Sequence, residues 1–207
     1  MRAIVQRVLR AAVHVNGETV GAIDNGLLVL VGISRTDKPE DAEYICRKIL
    51  GMRLWPDEKG KAWTKSVTAK NYEILLVSQF TLYGILKGNK PDFHNAMPPE
   101  GRDGSDEGGS RAFYASFVEK VRKSYVPDRV KGPILCSRLS FRLSSLHFSR
   151  SLSVFPLLSL LSSSKHLFRY GAEGVFGAMM EVELVNDGPV TIQLESPSSS
   201  SSASSSS

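Results

Sequence analysis

Two short segments of this sequence carry residue types from which a chemical site could be built. The first is Ser78, Gln79, Phe80 and Thr81, which directly follow the apolar run 74–77. At the end of a buried strand, hydroxyl groups, a side-chain amide and backbone N–H groups could surround an oxyanion without any titrating group. A polar strand terminus with no chemical role is the alternative that these residue types leave open.

The second segment is Gly188-Pro189, which closes the sequence Asn-Asp-Gly-Pro at 186–189. Bonds that precede proline are the only common cis peptides. A cis bond here could turn two successive carbonyl groups to the same side and create a pair of hydrogen-bond acceptors. A simple turn is the alternative interpretation.

The histidines of the sequence do not supply a conventional catalytic or metal-binding group. His14, His94, His147 and His166 show neither metal-ligand nor triad spacing. His14 is expected to be a structural residue of a strand, whereas His94 lies in a predicted loop and could line a pocket. No glycine-rich phosphate loop follows a predicted strand, which disfavours a nucleotide-dependent enzyme. We therefore expect a site without a cofactor and without a metal ion.

The elements that must position these segments begin with three predicted strands in residues 1–33. Asn16-Gly17 and Asn25-Gly26 are the turn signals that separate them. The apolar run that follows the second turn is typical of a strand buried on both faces.

The stretch 1–15 allows a second interpretation. It contains three arginines and no acidic residue, as transit peptides do. Its β-branched residues and the turn that follows favour a strand instead.

Two amphipathic helices are also predicted. Asp37 as the cap, Pro39 in the first turn and Glu40 three residues after the cap mark the start of the first helix. Cys46 falls on its apolar face and is expected to be a core residue. Apolar residues that recur every four positions predict the second helix over 111–125.

The remaining segments are predicted from their turn residues. Residues 51–71 are expected to form a short hairpin, and 84–100 an irregular segment rich in glycine and proline. The runs 182–185 and 190–194 flank Gly188-Pro189 and are predicted to form a terminal hairpin.

Several motifs together resemble the D-aminoacyl-tRNA deacylase family. They are the opening Met-Arg-Ala-Ile-Val-Gln-Arg-Val, Ser-Gln-Phe-Thr-Leu-Tyr-Gly at 78–84, Lys-Gly-Asn-Lys-Pro-Asp-Phe-His at 87–94, Phe-Gly-Ala-Met-Met at 176–180 and Asn-Asp-Gly-Pro-Val-Thr at 186–191. The resemblance covers 1–100, 111–131 and 174–195 in order. It departs from the family elsewhere.

The resemblance implies a fold, an activity and partners. The implied fold is a three-layer α/β/β arrangement of mostly antiparallel sheets with two main amphipathic helices. The implied activity is hydrolysis of the ester between a D-amino acid and the 3′-terminal adenosine of tRNA, and removal of glycine from mischarged tRNA. The implied partners are aminoacyl-tRNA and a second subunit in a homodimer. A cytoplasmic location without membrane contact is expected.

The resemblance also implies roles for individual residues. Ser78, Gln79, Phe80 and Thr81 would form the pocket floor, and Phe176, Gly177, Ala178 and Met179 would contact the substrate. Gly188-Pro189 of one subunit would enter the pocket of the other, where its carbonyl oxygens exclude an L side chain. Arg7 would orient Gly188-Pro189, because a guanidinium can donate to two carbonyl groups at once.

Thr81 is assigned to substrate binding rather than to covalent attack. A threonine without an adjacent base is a poor nucleophile. The resemblance implies that the substrate's own 2′-hydroxyl assists the reaction, while the protein supplies position and backbone donors.

Composition places these motifs in one domain. The chain has 207 residues, of which 42% are hydrophobic, and this excludes a wholly disordered protein. No apolar run reaches the roughly 18 residues that a membrane span needs. The two cysteines cannot form a disulfide framework and are consistent with a reducing compartment. The predicted domain is 1–195, with a polar loop at 101–110, an insertion at 132–172 and a disordered serine-rich tail at 196–207.

The insertion carries all of the excess charge. The formal net charge is +5. The cations of the insertion are Arg138, Arg142, Arg150, Lys165 and Arg169, and it has no acidic residue. The rest of the chain is therefore formally neutral, which removes the argument for a basic nucleic-acid-binding domain. Two alternatives to the enzyme stay open: a non-catalytic nucleic-acid-binding protein that uses the basic insertion, and an inactive isoform whose insertion is translated non-coding sequence.

Overall fold

One mixed sheet organises the residues that the computed structural model describes, which are 1–101, 108–132 and 179–197. The strands are β1 (Arg2–Val15), β2 (Glu18–Ile23), β3 (Gly26–Gly32), β4 (Arg53–Trp55), β5 (Lys65–Ser66), β6 (Glu73–Ser78), β7 (Ile85–Lys87), β8 (Lys90–Asp92), β9 (Val130–Lys131) and β10 (Glu181–Glu195), and the helices are α1 (Pro39–Gly51), α2 (Val67–Lys70) and α3 (Ser110–Ser124). The sheet has the order β10-β1-β3-β6-β9, and β2 also pairs with β1. The pairs β4–β5 and β7–β8 form separate two-stranded ribbons.

The three predicted N-terminal strands are confirmed as β1, β2 and β3. Asn16 and Gly17 both have positive φ, 51° and 79°, as a two-residue hairpin turn of the favoured type requires. Residues 2–15 form β1, so the strand interpretation of this stretch is also confirmed. His14 is a strand residue whose Nδ1 lies 3.0 Å from the Thr19 hydroxyl oxygen.

Strands β3 and β6 are buried on both faces, as their apolar sequences predict. Alternate residues belong to two hydrophobic clusters, since side chains alternate across a sheet. Leu27 and Leu76 pack in the cluster that contains α1 and α3, whereas Leu28 and Leu75 pack in the cluster that contains Ile23 of β2. One face of the sheet thus packs against the helices, and the other face packs against residues of the sheet's own strands β1 and β2.

The two predicted amphipathic helices are present as α1 and α3, with one correction. Lys38 caps α1, rather than Asp37, and its backbone N–H donates to the Asp41 carboxylate at 2.8 Å. The Asp37 carboxylate instead accepts the Ser34 N–H at 2.7 Å and pairs with the amino group of Met1 at 2.5 Å. Cys46 is buried in the core, as predicted.

The predicted terminal hairpin is wrong. Both halves of β10 pair antiparallel with the single strand β1, Glu181–Asn186 with its C-terminal part and Thr191–Glu195 with its N-terminal part. Gly188-Pro189 therefore interrupts one long strand and does not reverse the chain. The two apolar segments that resemble hairpin arms lie end to end within β10, because β1 is long enough to pair with both of them.

The structure also refines three other predicted segments. The predicted irregular segment 84–100 contains the β7–β8 ribbon, in which Gly88 adopts a φ of 64°. Ser196, assigned to the disordered tail, is buried, and its Oγ accepts a hydrogen bond from the Met1 amino group at 2.6 Å. The predicted 51–71 hairpin corresponds to β4–β5 followed by the short helix α2.

Most of the predicted insertion 132–172 lies outside the described residues, and so do 102–107 of the polar loop and 198–207 of the tail. These parts of the domain prediction stay predictions. Within the described part of the chain, none of the helices is both long and apolar enough to span a bilayer.

Candidate active site

The predicted pocket floor is a tight turn at the end of the buried strand β6. Ser78 pairs with Val31 of β3, and the Gln79 N–H donates to the Val31 carbonyl at 2.7 Å. Phe80–Tyr83 then form a single 3₁₀ turn that Leu82 closes by donating to Gln79. We call residues 78–83 the strand-end turn. Its position is fixed by backbone bonds to a core strand.

Several polar groups of the strand-end turn meet at its start. The Gln79 side-chain amide donates to the Thr81 hydroxyl oxygen. The N–H groups of Phe80 and Thr81 open the 3₁₀ turn, where the geometry of the helix leaves the first donors without an intrahelical acceptor. Phe80 and Thr81 are exposed, while Ser78 and Gln79 are half-buried. These residues can therefore donate hydrogen bonds to a ligand oxygen.

The back of the strand-end turn is held by β1 and β3. Arg2 donates to the Leu82 carbonyl at 3.0 Å, and its guanidinium lies over the Tyr83 ring at 4.7 Å. Burial raises the pKa of the Tyr83 hydroxyl, so this group stays neutral. Gly32 leaves room for the turn: a Cβ at this position would lie 2.8 Å from the Cβ of Leu82. Sequence reasoning missed this role of Gly32.

The segment that directly follows β8 contacts one side of the strand-end turn. Phe93 meets Phe80 edge to face, with ring centroids 5.0 Å apart. The neighbouring His94 is held by Asp92, whose Oδ1 lies 2.8 Å from His94 Nδ1. The Lys87 ammonium and the His94 backbone and ring N–H groups hold the pKa of Asp92 well below its usual range. His94 is thus fixed beside the turn by an exposed ion cluster.

Gly188-Pro189 lies in a bulge of β10. Between the pairs Val8–Asn186 and Gln6–Thr191, only Arg7 of β1 faces the four residues 187–190. We call residues 187–190 the β10 bulge. Proline has no N–H to donate to the sheet, which suits an interruption of the ladder at this point. Asn186 closes the bulge by accepting the Val190 N–H at 2.9 Å.

Arg7 supports the β10 bulge from the opposite strand. Its Nε lies 2.9 Å from the Asp187 carboxylate, and its Nη1 donates to the Leu54 carbonyl. Gly188 has a φ of 100°, and a Cβ there would lie 2.7 Å from Arg7 Nη2. The backbone conformation therefore favours glycine, and any larger residue would also displace the guanidinium from its present position. Asp187 is a supporting residue that sequence reasoning missed, although it lies within the quoted motif.

Within one chain, the strand-end turn and the β10 bulge lie at different places along the sheet. The turn leaves β6 opposite Val31 and Gly32, which pair with Ala3 and Arg2, whereas the bulge faces Arg7. Four or five residues of β1 separate the two levels, which is about 13–17 Å along the strand. One copy of this chain does not bring Gly188-Pro189 onto its own strand-end turn.

The other predicted substrate-binding residues are only partly described. Met179 is 92% exposed and directly precedes β10. Phe176, Gly177 and Ala178 lie outside the described residues. In residues 1–101, 108–132 and 179–197, no three His, Cys, Asp or Glu side chains cluster in a way that could hold a metal ion.

Comparison with known proteins decides the family. A family model described as D-Tyr-tRNA(Tyr) deacylase matches residues 4–135 and 157–195. The chain belongs to this family. The D-aminoacyl-tRNA deacylase 1 of Homo sapiens is 44% identical over 95% of this chain and 71% of its own length. The D-aminoacyl-tRNA deacylase of Dictyostelium discoideum is 43% identical over 95% of this chain and 98% of its own length.

Solved structures support the deacylase fold. One titled "c-Myc DNA Unwinding Element Binding Protein" has a TM-score of 0.69 and 43% identity and covers 96% of this chain and 100% of its own. A second, titled as a structural analysis of a probable eukaryotic D-amino acid tRNA deacylase, has a TM-score of 0.57, 18% identity and coverage of 94% and 98%. The second likeness concerns the fold alone. The predicted α/β fold of this family is thereby confirmed.

Proposed function

We propose that this chain hydrolyses the ester bond that joins a D-amino acid to the 3′-terminal adenosine of tRNA. The observation that carries the proposal is the strand-end turn, which presents hydroxyl and N–H donors at the end of a core strand. The chain in which this turn occurs belongs to the deacylase family. An ester carbonyl placed there gains donors for the negative charge that develops on its oxygen during attack. The proposed products are free D-amino acid and tRNA.

The proposed mechanism needs no protein nucleophile. Water attacks the ester carbonyl, and the 2′-hydroxyl of the terminal ribose assists by moving a proton. The N–H groups of Phe80 and Thr81 stabilise the oxyanion, and the Gln79–Thr81 pair fixes the substrate beside them. The bond between the carbonyl carbon and the ribose oxygen then breaks, and the ribose oxygen takes the proton.

Chiral selection is proposed to come from a second copy of this chain. The β10 bulge lies about 13–17 Å along the sheet from the strand-end turn of its own chain. In a homodimer, Gly188-Pro189 of one protomer would reach the turn of its partner and block the space that an L side chain needs. A D side chain or glycine would still fit, so glycyl-tRNA is the second proposed substrate.

The first experiment measures hydrolysis of D-Tyr-tRNA and L-Tyr-tRNA by the full chain. Hydrolysis of the D form alone supports the proposal, and hydrolysis of neither form by a folded protein contradicts it. The same assay on a variant without 132–172 tests whether the predicted insertion affects activity. Fractionation of cells would test the proposed cytoplasmic location.

A mixing experiment tests the contribution of the second copy. One variant carries a change in the strand-end turn, and the other carries a change in the β10 bulge. If each site combines the turn of one protomer with the bulge of the other, a mixed dimer contains one fully intact site and regains selective hydrolysis. If each site uses its own bulge, mixing restores nothing. Sedimentation of the unmixed chain reports whether a dimer forms.

A DNA-binding role is the second candidate. It is favoured by the 43% identity to the solved structure of a protein named for binding a DNA unwinding element. If the basic insertion carries this role, DNA binding will be salt-dependent and will disappear without 132–172. Binding of this kind by a chain that hydrolyses no aminoacyl-tRNA would favour this candidate, or an inactive isoform, over the enzyme.

A further inference from the structure

Trp63, between β4 and β5, projects a large ring into solvent from an unfavourable backbone conformation. Its φ is 59°, a region that bulky L residues rarely adopt, and the residue is 57% exposed. Among the described residues, its indole makes no aromatic, cation–π or hydrogen-bond contact. The fold therefore leaves more than half of this residue exposed in that backbone conformation.

The loop that carries Trp63, residues 56–64, is held in place by its own hydrogen bonds. The Asp57 carboxylate accepts the N–H groups of Lys59 and Lys61, both at 2.9 Å. Thr64 donates its N–H to Trp55 at 2.9 Å and its hydroxyl to Lys61 at 2.9 Å. These bonds fix the backbone on both sides of Trp63. Its exposure is therefore a property of an ordered loop.

Two lysines of the same loop are available to an anionic partner. Lys59 and Lys61 are exposed, and their ammonium groups make no ion pair within the described residues. The two acids of the loop have other contacts: the Asp57 carboxylate accepts backbone N–H groups, and Glu58 pairs with Lys65 at 3.3 Å. An exposed aromatic ring beside unpaired lysines is the combination that binds single-stranded nucleic acid, through base stacking and phosphate contacts.

The base of this loop contacts the support of the β10 bulge. The Leu54 carbonyl of β4 accepts from Arg7, which also contacts Asp187 and lies against Gly188. The next residue, Trp55, bonds Thr64, the neighbour of Trp63. A nucleic acid that reaches the β10 bulge therefore passes close to this loop.

We propose that Trp63 stacks on a base in the unpaired 3′ end of the substrate tRNA, while Lys59 and Lys61 contact its phosphates. This inference rests on the proposed function, in which the 3′-terminal adenosine lies at the strand-end turn of one protomer and beside the β10 bulge of the other. The protomer that supplies the bulge is the one whose Trp63 would make the contact. Unpaired nucleotides adjoin that adenosine, and their free faces suit an exposed indole.

The tryptophan content allows a direct test. The chain has two tryptophans, and Trp55 is buried, 6% exposed, against Tyr72. Trp55→Phe therefore leaves Trp63 as the single tryptophan, whose emission can be excited selectively over that of the tyrosines. Uncharged tRNA is titrated into this variant, and then the same tRNA without its unpaired 3′ nucleotides. We expect quenching by the intact tRNA and little by the shortened one.

Affinity measurements complete the test. Trp63→Ala is expected to weaken binding of uncharged tRNA roughly tenfold, and Trp63→Phe to retain most of it. Circular dichroism checks that each variant is folded. Equal affinity of Trp63→Ala and the unchanged chain, equal quenching by both tRNAs, or a Trp63 shielded from acrylamide before RNA is added would overturn the inference.

This test separates the inference from the proposed function because it uses uncharged tRNA. Quenching by a chain that hydrolyses no D-Tyr-tRNA would refute the enzyme and retain the Trp63 contact. Selective hydrolysis of D-Tyr-tRNA, together with unchanged affinity of Trp63→Ala for uncharged tRNA, would support the enzyme and refute the Trp63 contact.

Discussion

The strand-end turn and the β10 bulge are built in opposite ways. The turn continues the core strand β6, and backbone bonds to β3 fix it. The bulge interrupts β10, an edge strand of the described sheet, and side chains hold it: Arg7 from the facing strand and Asn186 from its own. A site of the first kind depends on packing behind it, whereas one of the second kind depends on a few polar contacts. Substitutions should therefore affect the two regions differently.

The largest effect is expected from crowding the strand-end turn. Gly32→Ala places a Cβ 2.8 Å from the Cβ of Leu82 and so displaces the turn from β3. Because small misplacements of reacting groups are costly, we expect D-Tyr-tRNA hydrolysis to fall about 100-fold. Gly51→Ala at the end of α1 is the control, since a Cβ there meets nothing within 4 Å. Full activity in Gly32→Ala would show that this contact does not position the turn.

A smaller effect of a different kind is expected from Arg7→Lys. Lysine keeps the charge but cannot reach both Asp187 and the Leu54 carbonyl in the geometry of the guanidinium. The bulge should loosen, and the preference for D-Tyr-tRNA over L-Tyr-tRNA should fall about tenfold, which corresponds to one charged hydrogen bond. Arg10→Lys is the matched control, because its pair with Glu183 is exposed and 3.9 Å long. An equal loss of both activities without a change in preference would contradict this role of the bulge.

Thr81 distinguishes binding from covalent attack within the strand-end turn. If its hydroxyl binds substrate and accepts from Gln79, Thr81→Val should lower kcat/KM by about tenfold, the value of one hydrogen bond, and Thr81→Ser should stay near the unchanged chain. Loss of a nucleophile would instead remove nearly all activity in Thr81→Val. Steady-state kinetics of the two variants separate these outcomes.

The smallest effect on the protein is expected from changing the ion cluster of Lys87, Asp92 and His94 beside the strand-end turn. The Lys87 ammonium is the main cause of the low pKa of Asp92, so Lys87→Met should raise that pKa, as measured by NMR titration of the carboxyl carbon. Because the pKa is lower in the folded chain, Asp92 stabilises the fold above the ordinary carboxyl pKa and loses this contribution as the pH falls towards the folded value. Lys90→Met serves as the control. An unchanged pKa in Lys87→Met would remove Lys87 as the cause.

The sequence predicted the strand-end turn better than the bulge for a physical reason. The run 74–77 and the polar residues after it form a local pattern, and the fold leaves that pattern intact. The path of β10 depends on pairing with β1, a contact almost the whole chain apart. Two apolar runs around Gly188-Pro189 match a hairpin locally, and only the length of β1 makes them one strand.

For single residues too, a local sequence pattern predicts only those roles that depend on neighbours in the sequence. Asn16-Gly17 sets its own φ angles and was predictable, as was the apolar face of α3. Asp37 satisfies every local rule for a cap, yet its carboxylate bonds Ser34 and Met1, which no local pattern reveals. The roles of Gly32 and Asp187 likewise depend on neighbours that are distant in sequence or on another strand.

The shared strand β1 limits how the spacing between the strand-end turn and the β10 bulge can change. Arg2 contacts the turn and Arg7 contacts the bulge, and both belong to the same uninterrupted strand. An insertion of one residue between them would turn Arg7 to the opposite face of the sheet. Unless a β-bulge absorbs the extra residue, the spacing between the two regions therefore varies in steps of two residues, about 7 Å. If the bulge selects the substrate as proposed, fine adjustment of the substrate range would depend on the size and sequence of the bulge.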